Sequence, residues 1–221
     1  MTDQNAHAYR ALAADDPVIA RLVEHVGRPD PFDWAAREFP SSTNFEAMAL
    51  HIVGQQISVA AALTIFGRVA AAAGGSLTPG RVLALDQDAL RACGLSRAKA
   101  GYLHDLAHRQ AQGVIDLERM DGLDDATALA DLTAVRGVGL WSAQMFLLHQ
   151  LHRPDVLPAG DVGIRRAVQR AWELEALPGP QETARRASAW SPHRSYAAAL
   201  LWTSLTATTL PRAAPTRATQ A

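Results

Sequence analysis

This 221-residue chain has one cysteine, Cys93, and one lysine, Lys99. A lone cysteine excludes an intramolecular disulfide, a zinc knuckle and a four-cysteine iron–sulfur cluster. No apolar run approaches the ~20 residues of a membrane span, because Arg, Asp, His or Gln interrupts every stretch. The first residues, MTDQNAHAYRALAADD, lack the basic start and apolar core of a secretory signal. Neither sign of charge dominates: 21 basic and 22 acidic residues leave −1, which excludes a uniformly basic coat for nucleic acid. No segment shows clean strand alternation, and no period repeats. What remains is 48% hydrophobic, enough for one large domain or two small ones. The expectation is a soluble protein of the cytoplasm.

The charge is uneven along the chain. Residues 1–50 carry −4 and residues 51–135 carry −2, whereas 136–194 carry +3 and 195–221 carry +2. A polyanion would meet the C-terminal half. Twenty of the basic residues are Arg, and Lys99 is the single lysine.

Almost all of the chain reads as helix, and the fold class is all-α. Val53, Ile57, Ala61, Ile65 and Val69 recur every four residues, an apolar stripe over about 44–73 interrupted near Gly54. Thr78 before Pro79, Asp86 and Ser96 read as N-caps, and Gly94 and Gly113 as stops. Further starts fall at Asp124 or Asp125, at Gly137 to Gly139, at Asp161, near Pro180 and at Ser191-Pro192. Two helical lobes are expected. Residues 45–150 form a central one, with a helical hairpin over about 124–150. Residues 1–44 join 151–207 in the other, and 208–221, rich in Pro, Thr and Ala, form a frayed tail.

Two stretches carry chemistry. Val135-Arg136-Gly137-Val138-Gly139 joins two helices, and glycines one residue apart allow a sharp turn and close approach of a partner. The N–H groups opening the second helix, with its dipole behind them, suit a phosphate. A tight αα-hairpin whose glycines serve only packing reads equally well from these residues alone. In the second stretch, LPAGDVGIRR from Leu157, Asp161 opens a helix. It reads as an ordinary N-cap, or as a carboxylate that stabilises positive charge on a sugar as a glycosidic bond breaks. A helix N terminus favours its charged form, which suits that role rather than general-acid work.

Four blocks in order, HIVGQQISVA from His51, VRGVGLWSA from Val135, LPAGDVGIRR from Leu157 and WSPHRSYAAALLW from Trp190, resemble the helix-hairpin-helix DNA glycosylase superfamily. Within it the likeness is to the DNA-3-methyladenine glycosylase II family, which removes alkylated bases. The resemblance covers about Ala49 to Thr206. It implies a two-lobed helical glycosylase fold, duplex DNA bearing alkylated bases (3-methyladenine, 7-methylguanine) as partner, and a monomer that flips the base and initiates base excision repair. Asp161 becomes the catalytic aspartate, and Arg136, Gly137, Val138 and Gly139 the phosphate clamp. Trp202 takes the place of an aromatic that stacks on the flipped base, and Trp141 that of another near the lesion. Backbone carbonyls of Thr133, Val135 and Val138 would hold a Na or K ion, with no other cofactor required.

Bifunctional relatives use a hairpin lysine as nucleophile, and that position here is Trp141. The resemblance therefore implies a monofunctional enzyme with water as nucleophile. Lys99 is expected on phosphate or solvent. Three departures stand out. The region before residue 44 is too short and too helical for the type enzyme's N-terminal β-rich domain. Gln56 stands where the family inserts a leucine wedge into the duplex, and Met145 where it places a pocket tyrosine. A non-catalytic DNA-binding module is the rival reading. His104 and His108, at i,i+4, have metal-binding spacing without an evident third ligand. His149 and His152, beside Arg153, are expected to face solvent or phosphate.

Overall fold

The computed structural model describes residues 3–33 and 43–207. The expected tail, 208–221, lies outside the described residues. Every regular element among the described residues is a helix, and none is long and apolar enough to cross a membrane. The chain divides into two compact units. The terminal unit joins the residues up to Asp30 with those from Leu157, and the central unit is Pro31–Val156. These boundaries differ from 44/45 and 150/151 for a physical reason. Arg153 Nη2 donates to the carbonyls of Met120, Asp121 and Leu123, and Phe32 lies 5.2 Å from the His152 ring, all within the central unit.

The terminal unit contains α1 (Asp3–Asp15), α2 (Pro17–Val26), α10 (Val162–Ala171), α11 (Pro180–Ala187) and α12 (Arg194–Thr206). Its core is built on two large aromatics. Tyr9 is fully buried, its hydroxyl 2.7 Å from the Pro29 carbonyl and 3.0 Å from that of Tyr196. Trp190 packs on Trp172 at 5.6 Å and points its indole N–H at Asp16, which also caps α2. α12 packs on α2 and α10. Its residues Tyr196, Ala197, Ala198, Leu200 and Leu201 are buried.

The central unit contains α3 (Asn44–Gly54), α4 (Val59–Ala72), α5 (Pro79–Ala84), α6 (Gln87–Ala92), α7 (Arg97–Ala111), α8 (Asp125–Thr133) and α9 (Leu140–His149). Thr78, Asp86, Ser96 and Asp124 each accept a bond from the backbone N–H three residues on, the N-cap geometry their sequence context implies. α7 packs against α3, α5 and α6 and buries Leu103, Leu106 and Ala107 completely. The stripe over 44–73 is interrupted at Gly54, where its sequence places the break and where α3 ends. Ser58 caps α4 and restarts the helix after a loop, so Ile57 leaves the stripe and is 38% exposed, while Val53 and Val69 are buried.

His149 departs from expectation too. It is buried, and Arg153 beside it spends its guanidinium on carbonyls rather than on phosphate. Burial, with the neighbouring His51 and His152, pushes the His149 imidazole down to about 3. The unfolded chain therefore binds a proton below pH ~6.5 that the folded chain refuses, so stability is full above that pH and falls as pH drops. From this group alone, urea unfolding should show stability declining by up to about 1.4 kcal/mol per pH unit below 6.5, and His51, which desolvation lowers to about 4, steepens that slope. A His149→Gln protein should decline less steeply, and an unchanged slope would contradict this origin.

Candidate active site

Asp161 is held in place before any chemistry is considered. The Leu157–Gly160 segment turns tightly, with the Asp161 N–H donating to the Pro158 carbonyl at 2.8 Å. Asp161 itself is extended (φ −64°, ψ 128°) and caps α10, its Oδ1 accepting from the Ile164 N–H at 2.9 Å. The N-cap role is therefore real. The same Oδ1 also accepts from the indole Nε1 of Trp202, on α12, at 3.0 Å. One carboxylate oxygen thus fixes both its own helix and an aromatic ring, and both residues are half-buried. Charge-assisted bonds of this kind are the stronger ones, and the helix N terminus favours the negative charge.

Gly163 completes this arrangement and was not anticipated. A Cβ there would stand 2.9 Å from Asp161 Oδ1 and 3.3 Å from Trp202 Cδ1. A glycine in the first turn of a helix, where it costs stability against alanine, was the available signal.

In the central unit, the two hairpin glycines differ. Gly137 has φ +83°, and a Cβ on it would overlap the Tyr102 ring of α7. Gly139 has ordinary φ and nothing within 4 Å of its Cβ position. Nothing inside the protein requires glycine at 139. The missing side chain leaves the N terminus of α9, which no side chain caps, open to an approaching group. The Gly137 and Gly139 N–H groups have no partner among the described residues, whereas those of Arg136 and Val138 do. Val138 donates to Val135 at 3.1 Å. Arg136 donates its amide to Asp105 Oδ2 at 2.9 Å. Only the exposed Arg136 side chain, 5.8 Å from the Tyr102 ring, is left for that role. Asp105 also pairs with Arg109 at 2.8 Å. Although desolvation opposes it, the Arg136 amide and the Arg109 guanidinium hold this carboxyl below its usual range.

Gln56 lies on the exposed loop between α3 and α4 with φ +58°, left-handed backbone that non-glycine residues seldom adopt. On α9, Trp141 is 45% exposed at the first turn and Met145 is buried. Lys99 is partly exposed. Its Nζ donates to the carbonyls of Val53 at 2.8 Å and Gln55 at 2.6 Å. Gln55, which sequence reasoning passed over for its neighbour, donates from Nε2 to the Gly137 carbonyl at 2.9 Å. His104 Nε2 lies 2.8 Å from the Leu85 carbonyl, and no cluster of three metal-ligating side chains occurs among the described residues. Among the described residues the Thr133 carbonyl, at the end of α8, and the Val138 carbonyl, in the turn before α9, accept no backbone hydrogen bond, and Val135 accepts one. Carbonyl oxygens with free lone pairs are the donors a monovalent cation takes, and the dipole of α8 favours it at Thr133.

Residues 50–193 match the family described as HhH-GPD superfamily base excision DNA repair protein. A Bacillus subtilis protein named putative DNA-3-methyladenine glycosylase is 28% identical over 189 residues, 82% of this chain and 63% of its own. Schizosaccharomyces pombe DNA-3-methyladenine glycosylase 1 is 30% identical over 185 residues, 82% of this chain and 79% of that one. The solved structure of S. pombe 3-methyladenine DNA glycosylase in complex with abasic DNA superposes with a TM-score of 0.77 at 29% identity. It covers 90% of this chain and 97% of that one. The chain thus spans a little under two thirds of the B. subtilis relative.

The two hairpin glycines should separate in a stability measurement. Gly137→Ala should lower unfolding free energy by about 2 kcal/mol or more, from positive φ and the clash with Tyr102. Gly139→Ala should stay within about 0.5 kcal/mol. Equal losses in urea denaturation would contradict the distinction.

Proposed function

The chain belongs to the HhH-GPD superfamily of base excision DNA repair proteins, and on that footing we propose that it is a monofunctional DNA-3-methyladenine glycosylase. It binds duplex DNA as a monomer in the cytoplasm, acting at the nucleoid. It extrudes an alkylated purine and hydrolyses the N-glycosidic bond to leave an abasic site. The observation that carries this reading is the Asp161 carboxylate fixed by the Ile164 N–H and the Trp202 indole.

The chemistry follows from what such a carboxylate does. An N-alkylated purine such as 3-methyladenine or 7-methylguanine carries positive charge and leaves readily, so a tuned general acid is not required. As the bond to C1′ lengthens, charge passes to the sugar, and the Asp161 carboxylate stabilises it without reorganising. The base departs neutral with the electron pair of the C1′–N bond, and water adds to C1′ and releases its proton to solvent. Trp202, locked by its bond to Asp161, offers a ring face to the flipped base, and an electron-deficient base stacks well on indole. In the central unit the Gly137 and Gly139 N–H groups and the Arg136 side chain take backbone phosphate, which positions the duplex without reading sequence. A Na or K ion on the carbonyls of Thr133, Val135 and Val138 would supply positive charge toward that phosphate. Trp141 and Met145 stand at positions where the family places its pocket residues, and Gln56 fills the vacated stack, its amide able to bond the orphaned base.

The geometry of Lys99 supports hydrolysis over lyase chemistry. The chain's single lysine is bonded to two backbone carbonyls, and Trp141 stands at the position of the relatives' lysine.

Incubated in EDTA with randomly methylated duplex DNA, the protein should release methylated purines, leave abasic strands uncut and form no borohydride-trapped adduct. Binding without release would return the non-catalytic reading. A trapped adduct would contradict water as nucleophile.

A further inference from the structure

Resting on the function proposed above, we propose that Lys99 is a positioning residue: its ammonium holds the Gln55–Gln56 loop in the shape that enters the duplex and ties that loop to the phosphate-binding hairpin.

The loop begins where α3 ends. A helix C terminus leaves carbonyls without internal partners and concentrates negative dipole there. Lys99 Nζ sits on that end, 2.8 Å from Val53 O and 2.6 Å from Gln55 O, short distances for charge-assisted bonds. Partial desolvation lowers the pKa of this lysine. Gln55, whose carbonyl it grips, sends its own side chain to the Gly137 carbonyl at 2.9 Å. Gln56, the next residue, is exposed in left-handed backbone. That conformation persists in a non-glycine residue only where its surroundings impose it. Lys99 and Gln55 impose it from the N-terminal side, and the Ile57 N–H, bonded to the Gly54 carbonyl at 3.4 Å, closes the turn from the other.

One helix organises both features. Lys99, Tyr102 and Asp105 follow one another at three-residue steps on α7. The first holds the loop, the second packs under Gly137, and the third takes the Arg136 N–H. The choice of side chain is informative as well. This chain uses Arg for every other basic position. Two backbone carbonyls converging on one point suit a compact ammonium, whereas the planar fork of Arg suits carboxylate or phosphate. The geometry therefore links grip on the backbone to insertion into the stack, with no reacting atom touched.

The test compares wild type with Lys99→Met, which keeps the apolar stem, and with Lys99→Arg. Single-turnover release is followed from two duplexes, one with 7-methylguanine opposite cytosine and one with it opposite an abasic site, where no base is orphaned by flipping. Lys99→Met should lose about 100-fold on the paired lesion and less than about 5-fold on the unpaired one, with Lys99→Arg between. Equal losses on both duplexes, or no loss, would overturn the proposal. Should Lys99→Met fail to fold, Gln55→Met carries the same comparison. If wild type releases base from neither duplex, the glycosylase reading fails by itself. Positioning is then read from 2-aminopurine placed opposite an abasic site. Its fluorescence should change on binding wild type and not on binding the variant, and equal changes would overturn the proposal.

Discussion

Asp161 Oδ1 accepts from the Ile164 N–H and from the Trp202 indole, and the candidate chemistry depends on both bonds at once. The first is a helix cap, the kind of interaction that contributes about 1 kcal/mol in many helices. The second reaches across to α12. Together they leave the carboxylate no freedom to turn, which is the condition for electrostatic catalysis: the charge must already point where positive charge will develop. Gly163 is part of the same constraint, because any side chain there would enter the space between acid and indole. The bond that caps α10 also fixes the candidate carboxylate.

The central unit applies a related rule to backbone rather than to a carboxylate. Its hairpin and its exposed loop are irregular segments, one with φ +83° at Gly137 and one with φ +58° at Gln56. Irregular backbone needs external support, and α7 provides it through an amine, an aromatic ring and an acid. The deeper layers of α7 are apolar and fully buried, so the face that touches the hairpin and loop rests on a rigid base. Where the protein needs no glycine, at 139, it has one facing outward, and the N–H groups it uncovers are those a phosphate would take.

Local signals in the sequence were readable and non-local ones were not. Thr78, Asp86, Ser96, Asp124 and Asp161 announce helix starts because the capping bond spans three residues, all visible in a short window. The pairing of Asp161 with Trp202 joins positions 41 residues apart, and only the resemblance to a family suggested that both belong to one site. The backbone bonds of Lys99 were not visible because its partners are carbonyls 44 and 46 residues away. Ile57 was misplaced because four-residue spacing continued by coincidence across a break that Ser58 creates. His149 was misread from its polar neighbours, although the apolar run before it, Met145 to Leu148, already marks a buried segment.

The central claim is that Asp161 acts by its charge at a fixed position, over and above its capping bonds. Asparagine separates the two, since its side-chain oxygen can accept from Ile164 and Trp202 as the carboxylate does. Asp161→Asn should therefore unfold within about 1 kcal/mol of wild type. Its single-turnover release of methylated purine from duplex DNA should fall by at least about 100-fold. A variant that keeps its activity within a few fold while remaining folded would contradict the account.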